Sequence, residues 1–177
     1  MPTRRQFLKV GLASGAVLAG TGWLVLRLGG GKPAPGRQWL DERAAVIVEA
    51  LVPAILDGSL PREGPDRATA VREVVEAFDR AITGLAPAVQ GEISQLFSLL
   101  GLGAGRFIVA GVRSSWPEAT PEEISAFLSR WRASRFASLR AGYQALTQLV
   151  IAAWYGNAAS WKAIGYPGPP LLASRSP

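Results

Sequence analysis

The feature that most constrains this chain is the spacing of its apolar residues between positions 41 and 155. They recur at intervals of three and four, the period of a helix face, and no neighbouring strand patterns support a sheet. Val48, Leu51, Val52, Ile55 and Leu56 form the first stripe, with Asp41 placed as its N-cap. Pro53 falls inside the stripe and predicts a kink or an end, because proline lacks an N–H and clashes with the preceding turn. Residues 58–66 read as a loop, with Asp66 placed to cap a second helix whose stripe is Val71, Val74, Val75, Phe78 and Ile82. Arg72, Glu73, Glu76, Asp79 and Arg80 read as lying mostly off that stripe, and Thr83-Gly84 ends the helix.

A third helix is expected from about Ala86 to Leu100, with Val89, Ile93, Leu96, Phe97 and Leu100 on one face. Gly101, Gly103 and Gly105 interrupt it, and Arg106 to Val112 reads as a short apolar helical piece, with a strand the local alternative. Thr120-Pro121-Glu122-Glu123 is the clearest local signal: a capping threonine, proline at the first helical position, and a glutamate placed to close a capping box. Ile124, Phe127, Leu128 and Trp131 follow at helical spacing. A break is expected at 132–134, then a long helix to about Tyr155 carrying Phe136, Leu139, Tyr143, Leu146, Leu149 and Val150. The expectation is an all-α fold: an irregular small helical bundle after an N-terminal signal or transmembrane helix, with an extended tail rich in proline, glycine and aromatics.

The first residues carry an address. Thr3-Arg4-Arg5-Gln6-Phe7-Leu8-Lys9 precedes a weakly apolar stretch from Val10 to Leu26, and a flexible linker follows at residues 29–36. Two adjacent arginines, one polar residue and Phe-Leu-Lys resemble the twin-arginine consensus, so Arg4, Arg5, Phe7 and Leu8 are the candidate export determinants. Glycines at 11, 15, 20 and 22 dilute the apolar middle, as suits that route. A plain membrane anchor obeying the positive-inside rule is the alternative, and the two are compatible. No Ala-x-Ala cleavage site closes the stretch, and a span of Val10 to Leu28 is near the lower limit for crossing a bilayer. Residues 1–36 are therefore read as signal or anchor plus linker, and 37–177 as one helical domain of ordinary size, with residues 154–177 as a docking tail.

The net charge of +6 belongs mostly to this leader. Arg4, Arg5, Lys9, Arg27 and Lys32 have no acidic neighbour, whereas residues 37–177 hold 14 basic and 13 acidic residues. A near-neutral body argues against nucleic acid as a partner. Within it the charge is uneven: net −4 over residues 37–105 and net +5 over residues 106–177. Arg130, Arg132, Arg135 and Arg140 crowd the expected break. They read either as a solvated face paired with the acidic half or as contacts to carboxylates of a partner.

The chain has no Cys and no His, and its single Met is Met1. The usual ligands of haem, iron–sulfur clusters and structural zinc are missing, as are His-based triads and cysteine nucleophiles. No Gly-x-Gly-x-x-Gly follows a strand, so no dinucleotide fold is indicated. Glu122 and Glu123 are adjacent, but neighbouring helical residues do not face one another. No catalytic, cofactor-binding or metal-binding residue is assigned. A folded-export signal on such a chain suggests a cofactor held by another subunit.

The C-terminal segment differs in kind. Trp154-Tyr155-Gly156-Asn157 leads through Trp161 and Ile164 to Gly165-Tyr166-Pro167-Gly168-Pro169-Pro170. Aromatics among prolines and glycines favour a stiff, extended segment that loses little entropy on docking. Trp154, Tyr155, Trp161, Tyr166, Pro167 and Pro169 are the candidate partner contacts; a tail folded over its own helices is the plainer alternative. The twin-arginine start, the helical body with Leu51-Val52-Pro53, and the close at residues 154–170 are together similar to the small (gamma, or subunit 3) family of gluconate 2-dehydrogenase-type membrane-bound dehydrogenases. The resemblance is strongest at 154–170 and patchy over 41–150. It implies a non-catalytic accessory subunit in the periplasm at the inner membrane. Its implied partners are a large FAD-dependent subunit of the glucose-methanol-choline type, often a haem-bearing cytochrome c subunit, and the Tat translocase. A membrane-tethered helical scaffold of another periplasmic complex shares every feature except the partner.

Overall fold

The computed structural model describes residues 31–157, 160 and 161. The readings at Arg4, Arg5, Phe7 and Leu8, and those at Tyr166, Pro167 and Pro169, lie outside the described residues.

Among the described residues the fold is carried by α1 (Glu42–Ile55), α2 (Pro65–Thr83), α3 (Pro87–Gly101), α4 (Pro121–Arg132) and α5 (Ala137–Tyr155). A π-helical turn (Gly105–Ala110) and a 3-10 turn (Trp116–Glu118) lie between α3 and α4, and no strand occurs among the described residues. The all-α expectation holds. Among the described residues no helix is long and apolar enough to cross a membrane.

Helix α1 is the hub. It packs against α2, α3, α4, α5 and the 3-10 turn, while α2 and α5 pack along one another and α4 lies on α5. The composition of α1 explains its place: Ala44, Ala45, Ile47, Val48, Leu51 and Val52 are all buried, so apolar surface reaches more than one side of it. Each large apolar side chain buried here is stabilising by about 1.5–3 kcal/mol relative to exposure. Asp41 caps the helix as its position predicts, accepting the Ala44 N–H at 2.8 Å. Pro53 stands in the last turn, where it removes the donor to the Glu49 carbonyl, and α1 stops two residues later, as expected of an end near a proline.

The start of α2 differs from expectation. The helix begins at Pro65 with Gly64 as N-cap, and Asp66 lies inside the first turn. Proline at the first position needs no N–H partner, and the Asp66 carboxylate meets the positive end of the helix dipole from within. In α3, Ile93, Phe97 and Leu100 are buried as expected, but Val89 is exposed. The capping box of α4 is complete: the Thr120 hydroxyl accepts the Glu123 N–H, and the Glu123 carboxylate accepts the Thr120 N–H. Helix α5 buries Leu146 and Val150 and leaves Phe136, its N-cap residue, exposed.

The core is aromatic at two places. Trp39 and Phe78 both meet Phe97 edge-on, with centroids 6.3 and 6.1 Å apart, and Phe127 is flanked by Trp116 at 5.9 Å and Trp131 at 4.8 Å. Each of the last two tryptophans satisfies its indole N–H on a backbone carbonyl outside its own helix or turn. Trp116 donates to Leu100 and Trp131 to Val109, both at 3.0 Å. These bonds tie the irregular stretch between α3 and α4 to the bundle. Gly111, which closes the π-helical turn, has φ +64° and the Arg130 guanidinium against the place of a Cβ, so the turn requires glycine.

Candidate functional site

Two regions were singled out by their residues, the arginines at the α4–α5 break and the end of α5. The structure places them differently with respect to solvent.

At the break, Arg130 donates to the Ala110 carbonyl, and Arg140 donates to the Ser134 carbonyl at 2.7 Å. The Arg135 guanidinium lies 4.9 Å from the centroid of the Phe136 ring. Arg132 borders an open groove of about 290 Å³ that Tyr143, Thr147 and Ile151 of α5 also line. All four arginines are exposed. The acidic half does not neutralise them: among the described residues the single ion pair is Arg37–Glu49 at 3.4 Å, within the first half of the chain. This corrects the idea of opposite charges paired across the domain. The two halves pack through apolar faces, and Arg130 and Arg140 donate to backbone carbonyls at one end.

The end of α5 is fastened to α2. The Asn157 side-chain amide donates to the Glu73 carboxylate at 2.8 Å, across eighty-four residues of sequence. The Ser160 hydroxyl donates to the Asn157 carbonyl at 2.7 Å, and the Trp161 indole N–H donates to the Tyr155 carbonyl at 2.8 Å. Trp154 is 5 % exposed and belongs to the chain's own core, so its indole is not presented to a partner. Tyr155 is exposed and Trp161 half-buried. An open groove of about 490 Å³ runs beside them between α2 and α5, lined by Glu73, Glu76 and Arg80 on one wall and by Ala152, Gly156 and Asn157 on the other.

The carboxylates offer little for acid–base chemistry. Glu122 is held below the ordinary carboxylate range by a hydrogen bond from its own backbone N–H and by one from Thr120. Glu123 is held low chiefly by a hydrogen bond from the Ser114 side chain; desolvation, next in size, opposes it, and the backbone N–H groups of Arg113, Thr120 and Ser114 add to the lowering. Both stabilise the first turn of α4, and a general acid at neutral pH needs the opposite shift. Among the described residues no three Asp or Glu side chains gather as metal ligands would.

One residue escaped the sequence reading. Asp79, placed off the α2 stripe, is 3 % exposed and accepts the backbone N–H groups of Gln38, Trp39 and Leu40 at 2.7, 2.9 and 2.7 Å. The spacing held the signal: Asp79 follows Val75 by four and precedes Ile82 by three, which puts it on the buried face. Also unforeseen was the exposure of Phe107 and Ile108 in the π-helical turn, at 57 % and 76 %.

Compared with known proteins, the chain matches no family model, no curated protein and no solved structure.

Proposed function

We propose that this chain is a non-catalytic small subunit of a periplasmic, inner-membrane-associated FAD-dependent dehydrogenase, and that it assists maturation and twin-arginine export of the catalytic subunit. The observation that carries the reading is the pairing, in one chain, of the Arg4-Arg5 export motif with the Trp154–Pro170 close that resembles the gluconate 2-dehydrogenase subunit 3 family. Residues 1–36 serve as signal or anchor with a linker, and residues 154–177 include the docking tail. FAD, and haem c where a cytochrome subunit is present, belong to the partners. The lowered Glu122 and Glu123 carboxylates and the absence of Cys and His from the sequence are in keeping with a chain that supplies no catalytic group.

Within that reading, Tyr155, Trp161 and the tail residues Tyr166, Pro167 and Pro169 are the contacts to the large subunit, while Trp154 anchors the end of α5 in the core. The test is deletion of this chain in its host, with fractionation and mass spectrometry of what co-purifies with a tagged copy. The expected result is a flavoprotein captured with the tag and retained in the cytoplasm or degraded when the chain is absent. A flavoprotein that reaches the periplasm at its normal level without this chain would overturn the reading. Capture of a different periplasmic complex would favour a membrane-tethered scaffold.

A further inference from the structure

Between Ile93 and Pro117, and again from Ile124 to the end of the chain, the sequence contains no Asp or Glu. The first stretch holds the π-helical turn and the second holds the α4–α5 junction. The fold brings the two together, because Trp131 and Arg130 near the end of α4 donate to the carbonyls of Val109 and Ala110. One end of the bundle thereby gathers Arg106, Arg130, Arg132, Arg135 and Arg140. The nearest acids on α4, Glu122 and Glu123, stand at its opposite end, roughly 13 Å away along the axis from Glu123 to Arg132 at about 1.5 Å per residue.

The same end exposes its largest apolar side chains. Ile108 is 76 % exposed, Phe107 57 % and Phe136 55 %. The Phe136 ring lies beneath the Arg135 guanidinium at 4.9 Å. Bulky apolar tips beside cations that form no ion pair among the described residues match a surface that is apolar below and anionic above. A protein partner would have to provide a fitted pocket for each protruding tip. A fluid bilayer needs no such fit, and guanidinium groups bond phosphate oxygens two at a time.

We propose that this end of the bundle docks on anionic lipid headgroups, with Phe107, Ile108 and Phe136 entering the headgroup–acyl boundary and Arg106, Arg130, Arg132, Arg135 and Arg140 engaging the phosphates. This surface shares only the membrane address with the function proposed above, and it stands or falls separately from the dehydrogenase partner. Residues 1–36 would hold the chain near the bilayer, and this end would set how the body sits on it.

The chain has no cysteine, so a single Ile108→Cys substitution allows one environment-sensitive fluorophore to be attached to the full-length protein. Ala88→Cys, exposed at the far end of α3, is the control position. Each labelled protein is bound to vesicles of phosphatidylethanolamine with phosphatidylglycerol, and to vesicles of phosphatidylcholine alone. The expected result is a blue shift, and quenching by spin-labelled lipid, at position 108 on the anionic vesicles only, with position 88 unchanged. Arg132→Gln with Arg135→Gln should weaken this docking by about fivefold per arginine, with far-UV circular dichroism unaltered. The proposal is overturned if the label at 108 stays in water on anionic vesicles while the chain is bound to them, or if both positions respond alike. It is also overturned if position 108 becomes shielded only when a co-purified protein is added, which would make this a protein-docking surface.

Discussion

The Asp79 carboxylate on α2 accepts the backbone N–H of Leu40, thirty-nine residues earlier, at 2.7 Å. The same carboxylate takes the N–H groups of Gln38 and Trp39, so one buried side chain gathers three donors from the bend that leads into α1. The arrangement resembles a helix N-cap supplied by a different helix. It fastens the segment before the Asp41 cap to α2, next to the edge-on contact of Trp39 with Phe97. Asp79→Ala leaves three donors without an acceptor, each costing about 1–3 kcal/mol where it is buried. Leu40 is the fully buried one of the three, so the expected loss is about 1–3 kcal/mol, read as a fall in the urea midpoint with little change in slope. Asp79→Asn keeps the shape but replaces one acceptor with a donor, so it should fall between the two.

Helix α5 approaches α4 closely at Gly142, where an added Cβ would lie 2.7 Å from Cζ3 of Trp131. Gly91 in α3 has open space at the same position. Gly142→Ala should therefore destabilise by about 1–3 kcal/mol through overpacking, in spite of its gain in helix propensity. Gly91→Ala should stabilise by roughly 0.5–1 kcal/mol. Opposite shifts of melting temperature from the same chemical change would check the packing directly.

The capping box of α4 makes stability depend on acid. The Glu123 carboxylate is held below its ordinary value, first by the Ser114 hydrogen bond, so in the folded chain it binds its proton less readily than when unfolded. Its contribution is fully present above the ordinary carboxylate range and is lost as the pH falls through the lowered folded value. Glu123→Gln should flatten the acid side of a stability-versus-pH curve, and leave the profile above the carboxylate range parallel to that of the parent. Thr120→Ala should cost about 1 kcal/mol at neutral pH. Chemical unfolding at several pH values measures both.

Trp131 holds the π-helical turn through its bond to Val109 at 3.0 Å. Trp131→Phe keeps much of the ring contact with Phe127 but leaves that carbonyl without its donor and the site underfilled, for an expected loss of about 1–3 kcal/mol. Hydrogen exchange should localise the effect. The Val112 amide, which bonds to the Arg106 carbonyl at the end of the turn, should exchange faster in the variant than the amides in the middle of α2.

Much of the helical architecture was legible because its signals are local. The Asp41 cap, the Thr120 box and the ends of α2 and α4 each depend on residues within one turn, and the structure places them as their spacing predicts. Asp66 shows the limit of that legibility. Asp66 and Gly64 are both acceptable starts for α2, and the helix begins at Pro65 after Gly64. The candidate contacts were legible only as residue types. Tyr155 and Trp154 are neighbours in sequence, yet one is exposed and the other buried, because successive helical positions point about 100° apart and only one of them faces the bundle interior.

By itself the sequence determined that the chain is helical, where most helices begin and end, and that its excess positive charge lies in residues 1–36. Those properties follow from period, caps and composition, which act over a few residues. The tertiary structure alone decided that Asp79 accepts the N–H groups of Gln38, Trp39 and Leu40, and that Arg130 and Arg140 meet backbone carbonyls rather than the acidic half. It also decided that Phe107, Ile108 and Phe136 stay in solvent. The physical reason is that burial and hydrogen-bond partnership are settled between elements distant in sequence, and no local pattern records which of them will pack together.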